Sequence, residues 1–328
     1  PVIFFFKIKV KKKIIYFSLA IIVLFNLYLY GNYEKNRNKI NLEEVNEKIF
    51  VKIISPNFDL KYGLKNKEIE ERLKKLIKYS EPKKGVKTLF IWPEGVFSGY
   101  SYDEILFFED NIKKNFSKGH FIIFGANKLD PASGNYYNSM LIVDNNFKIK
   151  QSYNKRKLVP FGEFLPFEKF LNNFGLKKIT EGHGSFSKGK TNKSISLDNF
   201  SILPLICYEI IFTDLVQKSN EEINLIINIS EDGWFGKSIG PAQHLSHSIF
   251  RSIEEGKNVI RSTNNGVSAL VNPKGQIIKQ ISEKGYFDVN KIKRVNKTYF
   301  AKHSNKIFFY FVLIYITFIV ILKIRENK

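Results

Sequence analysis

Long apolar runs without a charged residue lie at the two ends of the chain, and they limit its fold more than any other feature. The first run covers residues 14–30 and the second covers residues 307–322. Each is at or just below the short end of the roughly 17 to 25 residues with which a helix crosses a bilayer. The pattern therefore predicts two transmembrane helices around a more polar central region.

Two alternatives stay open for these runs. Either run could form a buried helix in a soluble core, and the first could be a secretory signal peptide. The residues after the first run read "GNYEKNRNK" and contain no small-residue cleavage pattern, which argues against a signal peptide. We favour the membrane-spanning interpretation for both runs.

Basic residues flank both runs on their outer sides. Five lysines precede the first run, and two lysines and one arginine follow the second. The positive-inside rule then puts both ends in the cytoplasm and the middle on the opposite side, which in a bacterium is the periplasm. The prediction is a protein of the bacterial inner membrane with a cytoplasmic basic segment (1–13), a transmembrane helix (14–30), a periplasmic domain (31–306), a transmembrane helix (307–322) and a cytoplasmic tail (323–328).

The formal net charge of +21 does not carry a nucleic-acid signature with it. The lysines are scattered along the chain, and no RNP, zinc-finger or helix-turn-helix pattern accompanies them. We predict no nucleic-acid partner, whereas the excess positive charge favours an anionic membrane surface. The single cysteine, Cys207, excludes an intramolecular disulfide and any zinc site with two thiolates.

The histidines do not form a convincing set of metal ligands. His244 and His247 lie three residues apart on a predicted helix, where they could share a face, but neither His183 nor any other residue supplies an evident third ligand. A packing or hydrogen-bonding role is therefore the preferred interpretation, and we predict no metal and no organic cofactor.

The central region is typical of an α/β fold. Apolar runs predict strands at residues 49–54, 88–92, 121–126, 139–143, 200–206 and 224–229. Helical periodicity at residues 65–79, 103–114 and 241–255 separates several of them. Helices do not separate every pair of strands, so hairpins are expected among the parallel units.

Three predicted strands end at a residue whose side chain can take part in catalysis. The segment "LFIWPE" delivers Glu94 into a loop, "QSYNK" delivers Lys155, and "FSILPLIC" delivers Cys207. Functional sites in α/β proteins form at the C-terminal ends of strands. Cys207 lies between a strand and a helical stretch, and catalytic nucleophiles are often placed on such a strand-to-helix turn. Taken singly, Glu94 and Lys155 also fit solvated loops, and Cys207 fits a buried structural thiol.

An apolar loop contributes a further carboxylate. Glu163 lies within "LVPFGEFLPF", and burial there would leave its charge in need of a cation or a hydrogen-bond donor.

The three strand-end segments, in this order, resemble the nitrilase superfamily, whose Glu, Lys and Cys triad has the lysine in a Y-x-K loop and the cysteine after a strand. Within it, "LVPFGEFLP", "ICYE" and "WFGKSIGPAQHLSHSIF" are similar to the apolipoprotein N-acyltransferase family. The resemblance implies a four-layer α-β-β-α sandwich flanked by transmembrane helices. It also implies that this chain is the C-terminal part of a longer protein, because that family has earlier membrane helices.

The resemblance implies roles for six residues. Glu94 would be the general base, Lys155 the group that stabilises the oxyanion, and Cys207 the nucleophile. Supporting roles would fall to the three remaining motif residues, which are Glu163, Tyr208 and Glu209. We expect Lys155 to lower the pKa of the Cys207 thiol.

The resemblance also implies a reaction and its partners. A fatty acyl group would pass from a phospholipid, through a thioester, to the N-terminal cysteine of an apolipoprotein, at the surface of the lipid bilayer. An anchored amidase that hydrolyses a small C–N bond and a non-enzymatic basic membrane scaffold are the alternatives. Residues around Val96, Phe97 and Tyr100 and the segment 164–174 are candidates for contact with lipid.

One segment departs from the family pattern. In "ISEDGWFG", Glu231 and Gly233 stand on either side of the aspartate, where the family has Asn and Ala. This difference implies a changed pocket wall beside an unchanged triad.

Overall fold

The computed structural model describes residues 10–36, 43–44, 50–167, 185–190, 194–197, 200–217, 223–295 and 298–326. These fall into two compact units. The segments within 1–42 and 299–328 form one, and residues within 43–298 form the other.

Helices and strands alternate irregularly along the described residues. The α-helices are α1 (Val10–Asn36), α2 (Asn66–Ser80), α3 (Tyr102–Ile105), α4 (Glu109–Asn115), α5 (Thr213–Gln217), α6 (Gly240–Glu255), α7 (Tyr299–His303) and α8 (Lys306–Glu326). The 3-10 turns are Leu106–Phe108, Cys207–Ile211 and Gly233–Phe235. The strands are β1 (Glu43–Glu44), β2 (Phe50–Ser55), β3 (Thr88–Ile91), β4 (His120–Asp130), β5 (Asn135–Asp144), β6 (Ile149–Asn154), β7 (Ile195–Leu197), β8 (Phe200–Ile206), β9 (Leu225–Glu231), β10 (Asn258–Asn264), β11 (Ser268–Val271), β12 (Ile277–Ile281), β13 (Gly285–Val289) and β14 (Lys293–Arg294).

The first unit contains the two apolar helices that the sequence predicts. Within them, Val10–Glu34 and Lys306–Arg325 are long and apolar enough to cross a membrane. Their apolar side chains are almost all exposed in the structure, unlike those of a helix in a soluble core. The two helices are therefore candidate membrane spans.

Among the described residues, the second unit contains two six-stranded sheets and a short antiparallel pair of β1 with β14. The first sheet has the order β13-β2-β3-β4-β5-β6, and the second has the order β12-β11-β10-β9-β8-β7. In each sheet three central strands are parallel, β2 with β3 and β4, and β8 with β9 and β10. The flanking strands are antiparallel. All of them except β13, which pairs with the distant β2, are joined to their neighbours as hairpins, so the mixture of parallel units and hairpins is confirmed.

Three hydrophobic layers hold the sheets and helices together. Alternate side chains of β2 point to opposite faces, so Ile53 packs between the two sheets while Ile54 packs against α2. Helix α2 buries one stripe, including Leu73, on the first sheet. The second sheet is covered on its outer face by α5 and α6. The result is the predicted four-layer α-β-β-α sandwich.

Two sequence-based expectations are wrong. The stretch predicted as one helix at 103–114 is divided into α3, a 3-10 turn and α4, because Phe108 leaves helical dihedral angles (φ −106°, ψ 12°). Val96 and Phe97 are not lipid contacts, because both are buried in the core between α2 and the first sheet. Tyr100 is part-buried and donates to the Leu64 carbonyl. Of the other candidate lipid segment, residues 168–174 lie outside the described residues.

Candidate active site

The chain direction of the strands brings the predicted site residues to one edge of the sandwich. Glu94 comes after β3, and Lys155 directly follows β6, which runs in the same direction two strands beyond β4. Cys207 directly follows β8, a parallel strand of the facing sheet. Buried apolar residues fix these strands, so the polar residues at their ends are held on rigid elements.

Cys207 is the first residue of the 3-10 turn that directly follows β8, and its main chain is strained. Its φ angle is +51°, a left-handed conformation that is uncommon for a residue with a Cβ. Burial and the Glu94 carboxylate raise the pKa of the Cys207 thiol to about 12, against the lowering effects of Lys155 and of a hydrogen bond with Ser230. The expected lowering by Lys155 is present, but burial outweighs it, and the thiol stays protonated near neutral pH.

Lys155 lies in the protein interior between two carboxylates. Its side chain is 1% exposed, and Nζ is 2.8 Å from Glu163 Oε1 and 3.8 Å from Glu94 Oε1. Burial opposes the charge, but Glu163 and Glu94 outweigh it and raise the pKa of Lys155 above its ordinary value. The ammonium is therefore charged at neutral pH.

Glu94 is held at both of its carboxylate oxygens. Asn138 Nδ2 donates to Oε1 at 2.8 Å, and the main-chain N–H of Glu231 donates to Oε2 at 3.2 Å. Gly125 on β4 leaves room for the loop, since a Cβ there would lie 3.0 Å from the Glu94 Cα. The carboxylate thus has a fixed orientation toward Lys155.

Glu163 is tied to the same group of side chains. It accepts from Lys155 through Oε1 and from the Val159 main-chain N–H through Oε2 at 2.9 Å. Asn138 Nδ2 donates to Glu163 Oε1 at 2.7 Å as well as to Glu94. We call Glu94, Asn138, Lys155 and Glu163 the base cluster.

Sequence reasoning missed Asn138. It stands within the β5 segment "NYYNSMLIV", where a polar residue among buried apolar ones is the feature that could have revealed it. Buried amides of this kind need hydrogen-bond partners, but the sequence does not show which carboxylates supply them.

Glu209 connects the strand that carries Cys207 with the loop that carries Lys155. It is fully buried, and it accepts from the main-chain N–H groups of Ile206, Arg156 and Lys157 and from the Tyr153 hydroxyl. Burial raises the pKa of Glu209, although these main-chain donors act against the rise. Its supporting role in this geometry is to hold the two loops together.

Tyr208 makes a different kind of contact. Its ring packs edge-on against Phe212, with centroids 4.9 Å apart. This contact orders the turn after the cysteine, and a role for Tyr208 in chemistry stays a prediction.

The histidines that the structure describes are not grouped as metal ligands. Among the described residues no group of three or more His, Cys, Asp or Glu side chains is arranged to hold a metal ion. His244 instead hydrogen-bonds with Asp232 and the main chain of Cys207, which is the hydrogen-bonding role that the sequence favours. His183 lies outside the described residues.

The segment with Glu231 and Gly233, where we expect a departure from the family pattern, has a defined hydrogen-bond environment. The Glu231 carboxylate accepts from Gly233 N at 2.7 Å, from Asn264 Nδ2 at 2.6 Å and from Asn265 Nδ2 at 3.1 Å. A Cβ on Gly95 or on Gly233 would approach its oxygens to 2.6 or 2.7 Å, so the longer side chain depends on both glycines. Burial raises the pKa of Glu231 to about 7.

The arrangement is suited to attack on a carbonyl carbon. It contains a protonated thiol on a rigid turn, a carboxylate that can accept a proton, and a buried cation that can stabilise an oxyanion. These groups come from different parts of the chain and meet only because the two sheets face each other.

Comparisons with known proteins agree with the fold and with the predicted resemblance. A family model described as carbon-nitrogen hydrolase matches residues 59–286. The apolipoprotein N-acyltransferase of Rhodopseudomonas palustris is 32% identical over 277 residues, which cover 80% of this chain and 51% of that protein. The enzyme of the same name from Brucella suis biovar 1 is 33% identical over 269 residues, covering 79% and 50%.

A solved structure gives the same result at the level of the fold. Saccharomyces cerevisiae Nit3, a member of branch 10 of the nitrilase superfamily, superposes with a TM-score of 0.53 at 17% identity, covering 74% of this chain and 90% of that one. The chain spans about half the length of the curated relatives it matches. Because the family model matches more than half of the chain, the chain belongs to the carbon-nitrogen hydrolase family.

Proposed function

We propose that this chain transfers a fatty acyl group from a phospholipid, through a thioester on Cys207, to the α-amino group of the N-terminal diacylglyceryl cysteine of an apolipoprotein. The main support is the buried Lys155 ammonium, which lies between Glu94 and Glu163 and acts electrostatically on the Cys207 thiol. The relatives named apolipoprotein N-acyltransferase and the two candidate membrane spans favour a lipid donor over a soluble one.

In the first half of the reaction, Glu94 takes the proton from Cys207 Sγ as Sγ bonds to the ester carbonyl carbon. A thiol with a pKa of about 12 holds its proton at rest, so deprotonation must accompany attack. Lys155 and a main-chain amide next to Cys207 stabilise the oxyanion. The C–O bond to glycerol then breaks, and the lysophospholipid leaves with the proton from Glu94.

In the second half, the amine of the acceptor attacks the thioester carbonyl. Glu94 accepts a proton from the amine, and Lys155 again stabilises the tetrahedral oxyanion. The C–S bond breaks, and the Cys207 sulfur regains the proton from Glu94. The products are an amide-linked acyl chain and the resting enzyme, so protons and bonds balance over the two halves.

The proposed topology follows the charges around the candidate spans. Residues 1–13 and 323–328 lie in the cytoplasm, the spans 14–30 and 307–322 cross the bacterial inner membrane, and 31–306 form the periplasmic catalytic domain. The lysines outside both spans support this orientation. Periplasmic exposure would let the domain meet both the lipid donor and the exported acceptor.

Mass spectrometry of the acyl-enzyme tests the proposal directly. After incubation with phospholipid vesicles, the peptide that contains Cys207 should gain the mass of one fatty acyl group, and hydroxylamine should remove it. The Cys207→Ala variant should gain none and should transfer no acyl chain. A stable acyl-enzyme on Cys207→Ala would contradict the proposal, and so would a scaffold-like result in which this variant complements loss of the gene.

A second candidate function comes from the family match itself. The carbon-nitrogen hydrolase model covers the entire region from before α2 to β13, and a membrane-anchored amidase would use the same thiol, base and cation. That enzyme would turn over small soluble amides in the absence of lipid. Turnover of such amides without any acyl-Cys207 peptide from phospholipid would favour the amidase.

A further inference from the structure

The turn that carries Cys207 needs support from its surroundings. A residue with a Cβ at φ +51° occupies a sparsely populated conformation, which persists only where neighbouring groups over-determine it. Glu209 holds the start of this turn through the Ile206 N–H. The carbonyl of Cys207 itself is held by a separate set of side chains.

Two buried side chains converge on the Cys207 carbonyl oxygen. Asn228 Nδ2 donates to it at 3.2 Å and also donates to the Leu205 carbonyl at 3.1 Å. His244 Nε2 lies 3.1 Å from the same Cys207 oxygen. Asn228 lies on β9 and His244 on α6, so side chains from two separate elements hydrogen-bond to the same turn.

A buried ion pair fixes both of these side chains. Arg261 Nη1 donates to Asn228 Oδ1, and Nη2 donates to Asp232 Oδ1 and Oδ2 at 2.8 and 2.6 Å. His244 Nδ1 lies 3.0 Å from Asp232 Oδ1 and 3.1 Å from Arg261 Nη2. Asp232 and Arg261 are fully buried, and His244 is 4% exposed. We call Asn228, Asp232, His244 and Arg261 the clamp.

The direction of the hydrogen bond from His244 follows from its partner. A carbonyl oxygen only accepts, so Nε2 must carry the proton that it shares with Cys207. Nδ1 can then accept from Arg261 in the neutral ring or donate to Asp232 in the charged ring. Nε2 is the donor in both states, so the hydrogen bond to the Cys207 carbonyl forms with either the neutral or the charged ring.

The clamp fixes more than one oxygen atom. The Cys207 carbonyl and the Tyr208 N–H belong to one planar trans peptide group and point in opposite directions. Holding the carbonyl toward Asn228 and His244 therefore sets the direction of the Tyr208 N–H, as well as the path of the chain from which Sγ projects.

We propose that His244, held by Asp232 and Arg261, is a positioning residue that fixes the Cys207 turn so that Sγ and the Tyr208 N–H face the scissile carbonyl together. This inference rests on the proposed role of Cys207 as the acyl-accepting nucleophile. Loss of the His244 donor frees the carbonyl, lets the strained turn relax and moves the thiol away from its productive position. A displacement of about 1 Å can slow such a reaction about 100-fold.

An isosteric pair of variants isolates the hydrogen bond from the packing of the ring. His244→Gln retains an N–H donor for the Cys207 carbonyl and an oxygen that can accept from Arg261. His244→Met has a similar length and no donor. A matched control is His247→Ala, since His247 lies one turn further along α6 and its ring contacts Phe250.

The full chain in phospholipid vesicles gives two rates for each variant. Single-turnover acylation of Cys207 should fall about 100-fold in His244→Met and stay within about tenfold of the wild type in His244→Gln. The lipid concentration at half-saturation should change little, because the clamp does not touch the donor. His247→Ala should match the wild type. Equal acylation rates for the Gln and Met variants would overturn the proposal.

Alkylation of the only cysteine by iodoacetamide separates this inference from the proposed function, because it needs no lipid. We expect slower alkylation in His244→Met than in His244→Gln. If wild-type Cys207 is alkylated but never acylated, the proposed function fails, and the difference in alkylation rates still decides the role of His244. If His244→Met does not fold, Asn228→Asp is the alternative variant. It replaces the amide donor to the Cys207 carbonyl by an oxygen and keeps an acceptor for Arg261. Alkylation of Asn228→Asp at the wild-type rate would overturn the proposed role of the clamp.

Discussion

The base cluster and the clamp both act on Cys207, but one acts on its side chain and the other on its main chain. The base cluster has two carboxylates for one cation, and the side chains of Glu94 and Glu163 are 14% and 12% exposed. The clamp pairs Asp232 with Arg261 one to one, and both side chains are fully buried. An uneven, partly open cluster can exchange a proton with a substrate, whereas a closed ion pair cannot do so without leaving a buried charge unpaired.

The same contrast is visible in how the charges are stabilised. Burial works against ionisation of Asp232, but Arg261 and His244 more than compensate and lower its pKa below the ordinary value. In the base cluster both carboxylates raise the pKa of the Lys155 ammonium, while burial and Glu94 raise the pKa of the Cys207 thiol and keep it neutral. The charges of the clamp thus favour rigidity, whereas those of the base cluster are suited to the proton transfer that we propose.

Removal of the cation from the base cluster should break this comparison most severely. Lys155→Met keeps the length of the side chain but leaves two adjacent carboxylates and no oxyanion partner. We expect the rate of Cys207 acylation to fall by at least about 1000-fold, measured by single-turnover mass spectrometry. Lys157→Met is the matched control, since Lys157 is half-exposed and pairs with Asp214 at 3.3 Å, and its loss should change the rate less than about twofold. Similar rates in the two variants would show that Lys155 has no role in the reaction.

A smaller effect is expected when the neutral member of the base cluster is removed. Asn138→Leu has a similar volume but no donor for Glu94 and Glu163, so the base should lose its fixed orientation. The acylation rate should fall about 100-fold. Asn135→Leu, at the exposed start of the same strand, should leave the rate unchanged. An unaffected rate in Asn138→Leu would mean that Glu231 N–H and Lys155 alone are sufficient to orient Glu94.

Ionisation of Glu231 should change the stability of the fold, whereas replacement of its side chain should have the smallest effect on activity. Glu231 contributes its main-chain N–H to the base cluster and precedes Asp232 of the clamp. Its pKa is raised from 4.5 to about 7, so the folded state binds a proton more tightly than the unfolded state. The resulting stability is complete below about pH 4.5 and is lost as the pH rises through about 7.

Urea unfolding across this pH range tests the assignment. Relative to Glu231→Asn, the wild type should lose roughly 3 kcal/mol of unfolding free energy between about pH 4 and about pH 8. The Asn variant should stay active within about tenfold, because it retains the N–H that orients Glu94. Glu283→Asn, at an exposed position, serves as the control and should follow the wild-type curve. Parallel curves for the wild type and Glu231→Asn would disprove the raised pKa.

Much of the fold could be predicted from the sequence because burial leaves a direct trace in it. Apolar runs of strand length predict β2, β3, β4, β5, β8 and β9 close to their observed positions, and the two apolar helices are present where predicted. Glu94, Lys155 and Cys207 stand out because each follows such a run. Their catalytic roles stay predictions until the variants above are measured.

The errors and omissions have one physical origin. Asn138, His244 and Arg261 gave no local indication of their partners, since each contacts residues that are distant in the chain. Val96 and Phe97 were expected at the lipid surface but are core residues, because the apolar character of a loop does not tell which surface covers it. The thiol pKa was expected to fall, and it rises because burial of Cys207 outweighs the charge of Lys155.

The sequence by itself determined the positions of six strands, the two candidate spans and the chemical groups at the strand ends, because these depend on local composition and spacing. Only the tertiary structure decided which charges meet, which are buried and which hold the Cys207 turn in its left-handed conformation. Coulombic and hydrogen-bond energies depend on distance and on exclusion of water. Both are set when the two sheets pack face to face, which brings Glu94, Lys155 and Cys207 from separate parts of the chain to one edge.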